Sequence, residues 1–230
     1  MPLEGLRRRI RRLTAPLPMD EFPDYDAYWR ARGGLGLVVR RWQIAAEIIE
    51  PGSTVLDVGC GSGEFLRYLR SASPTVQATG CDVSVVAVDG LRKDGFDALQ
   101  IDLRVEDIPD QFDYVTCLEV LEHIPDAEAA IRRLKASFRK QLIISIPNIG
   151  YFEHRVRLGL FGRFPNTSCI FHVNEHVRHW TPRDFREWVD HFGLKVVRLE
   201  GQQGMRVAPW KRFPALWAEQ VVFVLEHADQ

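Results

Sequence analysis

The residues best able to do chemistry stand together early in the chain. In Val55-Leu56-Asp57-Val58-Gly59-Cys60-Gly61-Ser62-Gly63 an apolar run passes straight into three glycines, and a helical pattern begins near Glu64. Glycines at such a junction let the backbone take positive φ and let a ligand lie against main-chain N–H groups, since no Cβ intervenes. The spacing lacks the wider G-x-G-x-x-G interval suited to a dinucleotide pyrophosphate, and a carboxylate, Asp57, sits inside the motif. Pyrophosphate favours the positive end of a helix, whereas a zwitterionic amino-acid ligand with a sulfonium gains from a nearby carboxylate. Asp57 therefore tips the reading toward S-adenosylmethionine, with Gly59, Cys60, Gly61 and Gly63 as its cradle. Asp82, beside Val83, ends the next apolar run roughly 20 residues on, where an acid in a Rossmann-like fold reaches ribose hydroxyls. Taken singly, each acid is also explained as a cap or turn former at a strand end.

A second group lies in Glu119-Val120-Leu121-Glu122-His123, with His176 much later, four residues before Trp180-Thr181. Glu119, Glu122 and His123 share one face of a turn, because positions three and four apart are neighbours there. Two carboxylates and one or two imidazoles suit a divalent cation, which clamps two adjacent hydroxyls and lowers the pKa of one. His123 or His176 is also the natural base for a hydroxyl, since imidazole titrates near neutral pH. The plainer alternative makes Glu122 and His123 caps of a helix starting near Asp126, and His176 a packed residue. No catalytic residue or metal ligand is assigned on this pattern alone.

Positioning these groups requires alternating elements. Short apolar runs at 54–58, 76–82, 98–102, 112–117 and 141–146 are separated by helical periodicity, the pattern of βαβ units and a parallel sheet. Helices are expected at 25–32 and 40–49, and closing strands at 195–199 and 220–225. The last helix is well signalled: Thr181 as N-cap, Pro182 at the first position, Asp184 completing a capping box, an apolar stripe of Phe185, Trp188, Val189 and Phe192, and Gly193 as the stop. The connection 148–180 carries Tyr151, Phe152, Phe161, Phe164 and Phe171 with His154, His172, His176 and His179. Loops beyond about 12 to 15 residues are usually functional, so this one reads as a lid over an acceptor pocket, or else as a helical insertion covering a sheet edge.

A chain of 230 residues that is 46% hydrophobic and 27% charged has the composition of an ordinary globular domain. Its formal net charge of -1 supplies no global attraction to nucleic acid or an anionic membrane. Locally, Leu3, Leu6, Ile10 and Leu13 with five arginines around them form a short basic amphipathic helix, suited either to acidic lipid and RNA phosphate or to packing on the body. Pro16, Pro18 and Pro23 follow as a linker, so residues 1–24 read as an arm and 25–230 as one domain. No apolar stretch approaches the roughly 20 residues that span a bilayer. Cys60, Cys81, Cys117 and Cys169 show no CxxC spacing, and the first residues lack an apolar leader core, so a reducing cytoplasm is expected.

With these motifs in place, the chain resembles class I S-adenosylmethionine-dependent methyltransferases. That resemblance implies a Rossmann-like α/β fold, with a mostly parallel seven-stranded sheet, helices on both faces and an antiparallel last strand. It also implies Asp102 and Leu103 beside the adenine, Leu118 and Glu119 beside the methionine end, and Arg41 at the carboxylate, with Arg40 open by helix register. From about Arg40 to Val197 the chain resembles the MetW-like group, on Ser145-Ile146-Pro147-Asn148-Ile149-Gly150, Arg155-Val156-Arg157-Leu158 and Gly162-Arg163-Phe164-Pro165. That group includes non-catalytic partners in methionine biosynthesis. The ExxEH segment is more similar to ubiquinone-pathway O-methyltransferases and to small-RNA 2′-O-methyltransferases. The expectation is O-methylation of a small hydroxylated acceptor such as a sugar or phenol. A non-catalytic partner, an RNA-ribose methyltransferase and a nicotinamide dehydrogenase are the alternatives.

Overall fold

The computed structural model describes residues 10, 12–20, 23–32, 36–165, 172–204 and 213–228. The apolar runs become strands β1 (Thr54–Val58), β2 (Gln77–Asp82), β3 (Asp97–Gln100), β4 (Phe112–Leu118), β5 (Phe138–Pro147), β6 (Leu194–Gly204) and β7 (Ala218–His227). They pair in one sheet of order β3-β2-β1-β4-β5-β7-β6. The first five run parallel, and β7 lies antiparallel between β5 and β6. The sheet of the class I resemblance is therefore present, its last strand reversed as expected. The closing strands extend well beyond the expected runs, and β3 stops two residues short of Asp102.

Near-continuous burial along β1, β4, β5 and β7 follows from helices on both faces. On one face α5 (Ala127–Ser137) and α7 (Pro182–His191) contribute Ala130, Ile131, Leu134, Phe185 and Val189 to the core. On the other, α2 (Arg40–Ile48), α3 (Glu64–Ala72) and α4 (Val85–Lys93) contribute Trp42, Ile44, Leu66, Leu69 and Leu91. Helix α7 starts as its caps require: the Thr181 hydroxyl accepts from the Asp184 N–H, and the Asp184 carboxylate accepts from the Thr181 N–H. Chain direction across the sheet reverses between β1 and β4, and ligands of open α/β sheets bind outside the strand ends at such a switch point. The glycine segment leaves β1 there, and Glu119 to His123 leave β4 beside it.

The segment after β5 is partly helical, with α6 spanning Phe152–Phe161. Its Arg157 is buried and donates to the carbonyls of Arg12, Leu13, Ala15 and Phe164 at 2.6 to 3.0 Å. Arg12 in turn pairs with Glu219 at 2.6 Å, and Met19 forms a β-bridge with His172. The described part of the arm thus packs on the 148–180 connection. Leu3, Leu6 and the arginines before Ile10 lie outside the described residues, as do Cys169 and Phe171. Arg157→Ala leaves four carbonyls without their donor and should cost about 2 to 3 kcal/mol. Arg157→Lys should recover little, because an ammonium cannot match the planar fork. Urea denaturation measures the loss, and limited proteolysis should show earlier cleavage within residues 12–20.

Candidate active site

The loop after β1 is shaped by close approaches that only glycine permits. A Cβ at Gly59 would stand 2.4 Å from the Val120 side chain, and one at Gly61 would stand 2.3 Å from the Trp29 ring. Both have positive φ, of 70° and 51°. Backbone N–H groups of Gly59 and Cys60 donate to the Cys81 carbonyl, and that of Gly61 donates to Asp82 Oδ2 at 2.9 Å. The other Asp82 oxygen accepts the Ser84 N–H at 2.9 Å. One carboxylate at the end of β2 therefore fixes the loop, and with about four lone-pair positions it retains capacity for ligand hydroxyls. Burial raises its pKa, while the backbone donors oppose the rise.

A pocket opens over this loop, lined by Arg41, Asp57, Gly59, Cys60, Asp82, Val83, Asp102, Leu103, Leu118 and Glu119 among others. Of the residues expected at a cofactor, Gly61 and Gly63 alone do not line it: Gly61 lies under Trp29, and Gly63 is the left-handed N-cap of α3. Asp57 is buried, accepts the hydroxyl of its register partner Thr116 at 2.6 Å, and is pushed by desolvation up to about 7. Asp102 is held in a two-point ion pair by Arg104, at 2.7 and 2.8 Å, which lowers its pKa. The Arg41 guanidinium reaches Gln220 at 3.4 Å, and its Nε is buried with no hydrogen-bond partner. Glu119 holds a left-handed φ of 60° and accepts from Ser145 at 2.8 Å and Gln220 at 2.6 Å.

The ExxEH cluster divides. Glu122, His123 and His176 offer ligand atoms all within 4.8 Å of one another, while both Glu119 oxygens face Ser145 and Gln220 instead. His176 is drawn in because the Val177 and Arg178 N–H groups donate to the Glu122 carbonyl. Glu122 is 1% exposed and neither of its carboxylate oxygens has a hydrogen-bond partner. Burial, and then Glu119, push its pKa well up. His176 is pushed by burial down to about 3, which keeps the imidazole neutral and fit to ligate. His123 lines the first pocket and also a neighbouring one walled by Tyr25, Tyr28, Arg104, His172, Asn174 and Glu175.

Helix α1 (Tyr25–Arg32) is the part of the site that the sequence reading placed as an element but not as a wall. Tyr25, Tyr28 and Trp29 line the first pocket, and Asp26 anchors the helix by accepting from the Ser84 hydroxyl at 2.5 Å. Their i, i+3, i+4 spacing was the available signal. The aromatics expected to form a lid lie elsewhere: Tyr151 is buried, Phe152 stacks on Trp217, and Phe161 and Phe164 are exposed. The connection contributes His172, Asn174, Glu175 and His176 instead, because the bridge to Met19 and the bonds to Glu122 turn that stretch inward. Cys60, Cys81 and Cys117 are free, buried thiols pushed up by desolvation.

Asp57 has a pH signature. Its folded pKa of about 7 exceeds the ordinary 3.8, so the folded protein binds this proton more tightly than the unfolded chain. The resulting stabilisation is complete below the ordinary value and disappears as pH rises through about 7. Ligand-free Asp57→Asn should therefore gain stability over wild type between about pH 5 and pH 8, by on the order of 2 to 4 kcal/mol. Urea denaturation across that range measures the difference, and a pH-independent difference would contradict the assignment.

Comparison with known proteins agrees with this geometry. A family model described as a methyltransferase domain matches residues 28–199. A ubiquinone biosynthesis O-methyltransferase of Xanthomonas axonopodis pv. citri is 27% identical over 199 residues, covering 83% of this chain and 81% of that protein. A Haloferax volcanii chain, solved in complex with the Trm112 methyltransferase activator, superposes with a TM-score of 0.64 at 19% identity, covering 90% and 99% of the two chains. Magnesium protoporphyrin IX methyltransferase from Synechocystis PCC 6803, solved with S-adenosylhomocysteine, gives a TM-score of 0.56 at 19% identity, with 97% and 94% covered. Glycine loop, switch-point pocket and family match converge: the chain belongs to the methyltransferase domain family, as an S-adenosylmethionine-dependent enzyme of class I.

Proposed function

We propose that the protein transfers a methyl group from S-adenosylmethionine to a hydroxyl oxygen of a small acceptor with a second hydroxyl beside it. The observation that carries this reading is His123, common to both pockets, beside a buried Glu122 whose carboxylate oxygens lack partners. The residues fit the cofactor. Gly59 lines the pocket with no side chain of its own, Asp82 has acceptor capacity for ribose hydroxyls, and Arg41 Nε is a buried donor with no hydrogen-bond partner, suited to an anion. In this reading Asp57 and Glu119 face the ammonium, Arg41 the carboxylate, and Asp102 with Leu103 and Val83 the adenosine. S-adenosylmethionine supplies an electrophilic methyl on a sulfonium.

The protein's task is then to hold the acceptor oxygen in line with that methyl and keep water out, which accounts for most of the acceleration available to a displacement. Tyr25, Tyr28 and Trp29 close the pocket from α1. In this reading His123, which lines both pockets, takes the hydroxyl proton. Glu122, His123 and His176 also fit a divalent cation, which there would bind both acceptor hydroxyls and lower the pKa of one. The relatives named for ubiquinone O-methylation support oxygen as the acceptor atom.

With a labelled methyl donor, catechols and sugar diols should be methylated, whereas the corresponding mono-hydroxy compounds should not. Asp82→Ala should weaken the cofactor by about 1 to 3 kcal/mol, the usual worth of charged hydrogen bonds. Chelation should suppress turnover without weakening cofactor binding, and His123→Ala should lower kcat more than it raises KM. Full activity after exhaustive chelation and in His123→Ala alike would make the cluster structural.

A further inference from the structure

Beside the pocket runs a chain of buried amides with one possible polarity. Helix α2 begins after Val39, which supplies no side-chain cap, so the Arg41 N–H is among the first-turn donors left without an intrahelical partner. Gln202 Oε1, from the far strand β6, accepts it at 2.6 Å. Gln202 is fully buried and is the direct register partner of Gln220 on β7. A backbone N–H can only donate. Gln202 must therefore present its oxygen to Arg41 and its amide NH2 to Gln220 Oε1, which leaves the Gln220 NH2 for Glu119 Oε2 at 2.6 Å. Ser145 closes the chain by donating to Glu119 Oε1 at 2.8 Å. Gln220 Oε1 also accepts from the Arg41 guanidinium at 3.4 Å.

The sequence of donors has two effects. It presents only donors to Glu119, which favours the ionised carboxylate against the desolvation that raises its pKa. It also ties the Arg41 guanidinium and the Glu119 carboxylate to the same amide. Both line the pocket, held side by side through their common bond to Gln220. Glu119 keeps a left-handed backbone without being glycine, and such strain persists only where surrounding bonds over-determine the position. Nothing in the chemistry of an adenosine requires this pairing. An α-amino acid does, with its ammonium and carboxylate on one carbon.

We infer that Gln220, supported by Gln202, is a positioning residue that sets Arg41 and Glu119 as a matched receptor for the α-ammonium and α-carboxylate of the methionyl moiety. The inference rests on the reading of this pocket as the cofactor site. It places part of the cofactor's recognition on β6 and β7, strands remote in sequence from every motif that signals the site.

Titration calorimetry on the full-length protein tests it with two ligands, S-adenosylhomocysteine and 5′-methylthioadenosine, which lacks the amino-acid end. Gln220→Leu should weaken S-adenosylhomocysteine by roughly tenfold or more, the loss expected when charged hydrogen-bonding groups are released, and leave methylthioadenosine unchanged. Gln202→Leu removes the amide that donates to Gln220 Oε1, so it should show the same selective loss. Parallel losses for both ligands, or no loss for S-adenosylhomocysteine in either folded variant, would overturn the inference while leaving the cofactor site intact. Wild-type protein that binds neither ligand would overturn the cofactor reading and this inference with it.

Discussion

Four carboxylates, those of buried Asp57, Asp82 and Glu122 and of half-buried Glu119, stand at one end of the parallel sheet, and each has its pKa raised first by desolvation. A buried carboxylate is tolerated only when donors, a cation or a proton compensate its lost hydration. Much of the surrounding architecture meets that requirement. Asp82 is answered by two N–H groups of the loops it fixes, Asp57 by Thr116 across the β1–β4 pairing, and Glu119 by Ser145 and Gln220 from the neighbouring strands. Glu122 alone among the four has neither carboxylate oxygen hydrogen-bonded, and two imidazoles stand about 4 Å from one of them. Compensated acids thus line the side proposed for the cofactor, and the acid without hydrogen bonds stands on the side proposed for the acceptor.

This gradient links folding to chemistry. An apolar sheet end would be more stable than one with these desolvated acids, so the acids carry a stability cost that a cationic ligand would relieve. In the proposed placement, a sulfonium with an ammonium beside Asp57 and Glu119 is such a ligand, and its binding would stabilise the fold by mass action. The covering helix α1 is tied to the start of α4 by Asp26, which accepts from the Ser84 hydroxyl and the Val86 N–H. Covering elements of this kind come from the less stable parts of a fold.

Local pattern made some of this legible. Strand β1 coincides with the expected run 54–58, and the glycine loop, Asp82, the Thr181 capping box and the reversed last strand all follow from spacing or from the resemblance those residues carry. The expected run 98–102 overshoots β3 because Ile101 continues its apolar pattern after the ladder with β2 has ended at Gln100. The Gln202–Gln220 pair was not legible, since neither glutamine differs from a surface residue until the β6–β7 register places them opposite one another. The separation of Glu119 from Glu122 was hidden for a related reason. Turn periodicity puts them on one face, but the left-handed φ at Glu119 redirects its side chain toward β5 and β7. The aromatic lid was an inference from composition, and exposure of Phe161 and Phe164 shows that aromatic residues in a long connection need not face the pocket.

The central claim is that the pocket at the β1–β4 switch point binds a zwitterionic adenosyl amino acid and not a dinucleotide. Calorimetric titration of the purified protein with S-adenosylmethionine and, separately, with NAD tests it most directly. The account predicts saturable binding of S-adenosylmethionine near one molecule per chain and no measurable heat of binding with NAD. Saturable binding of NAD, or the absence of any S-adenosylmethionine binding by folded protein, would contradict it.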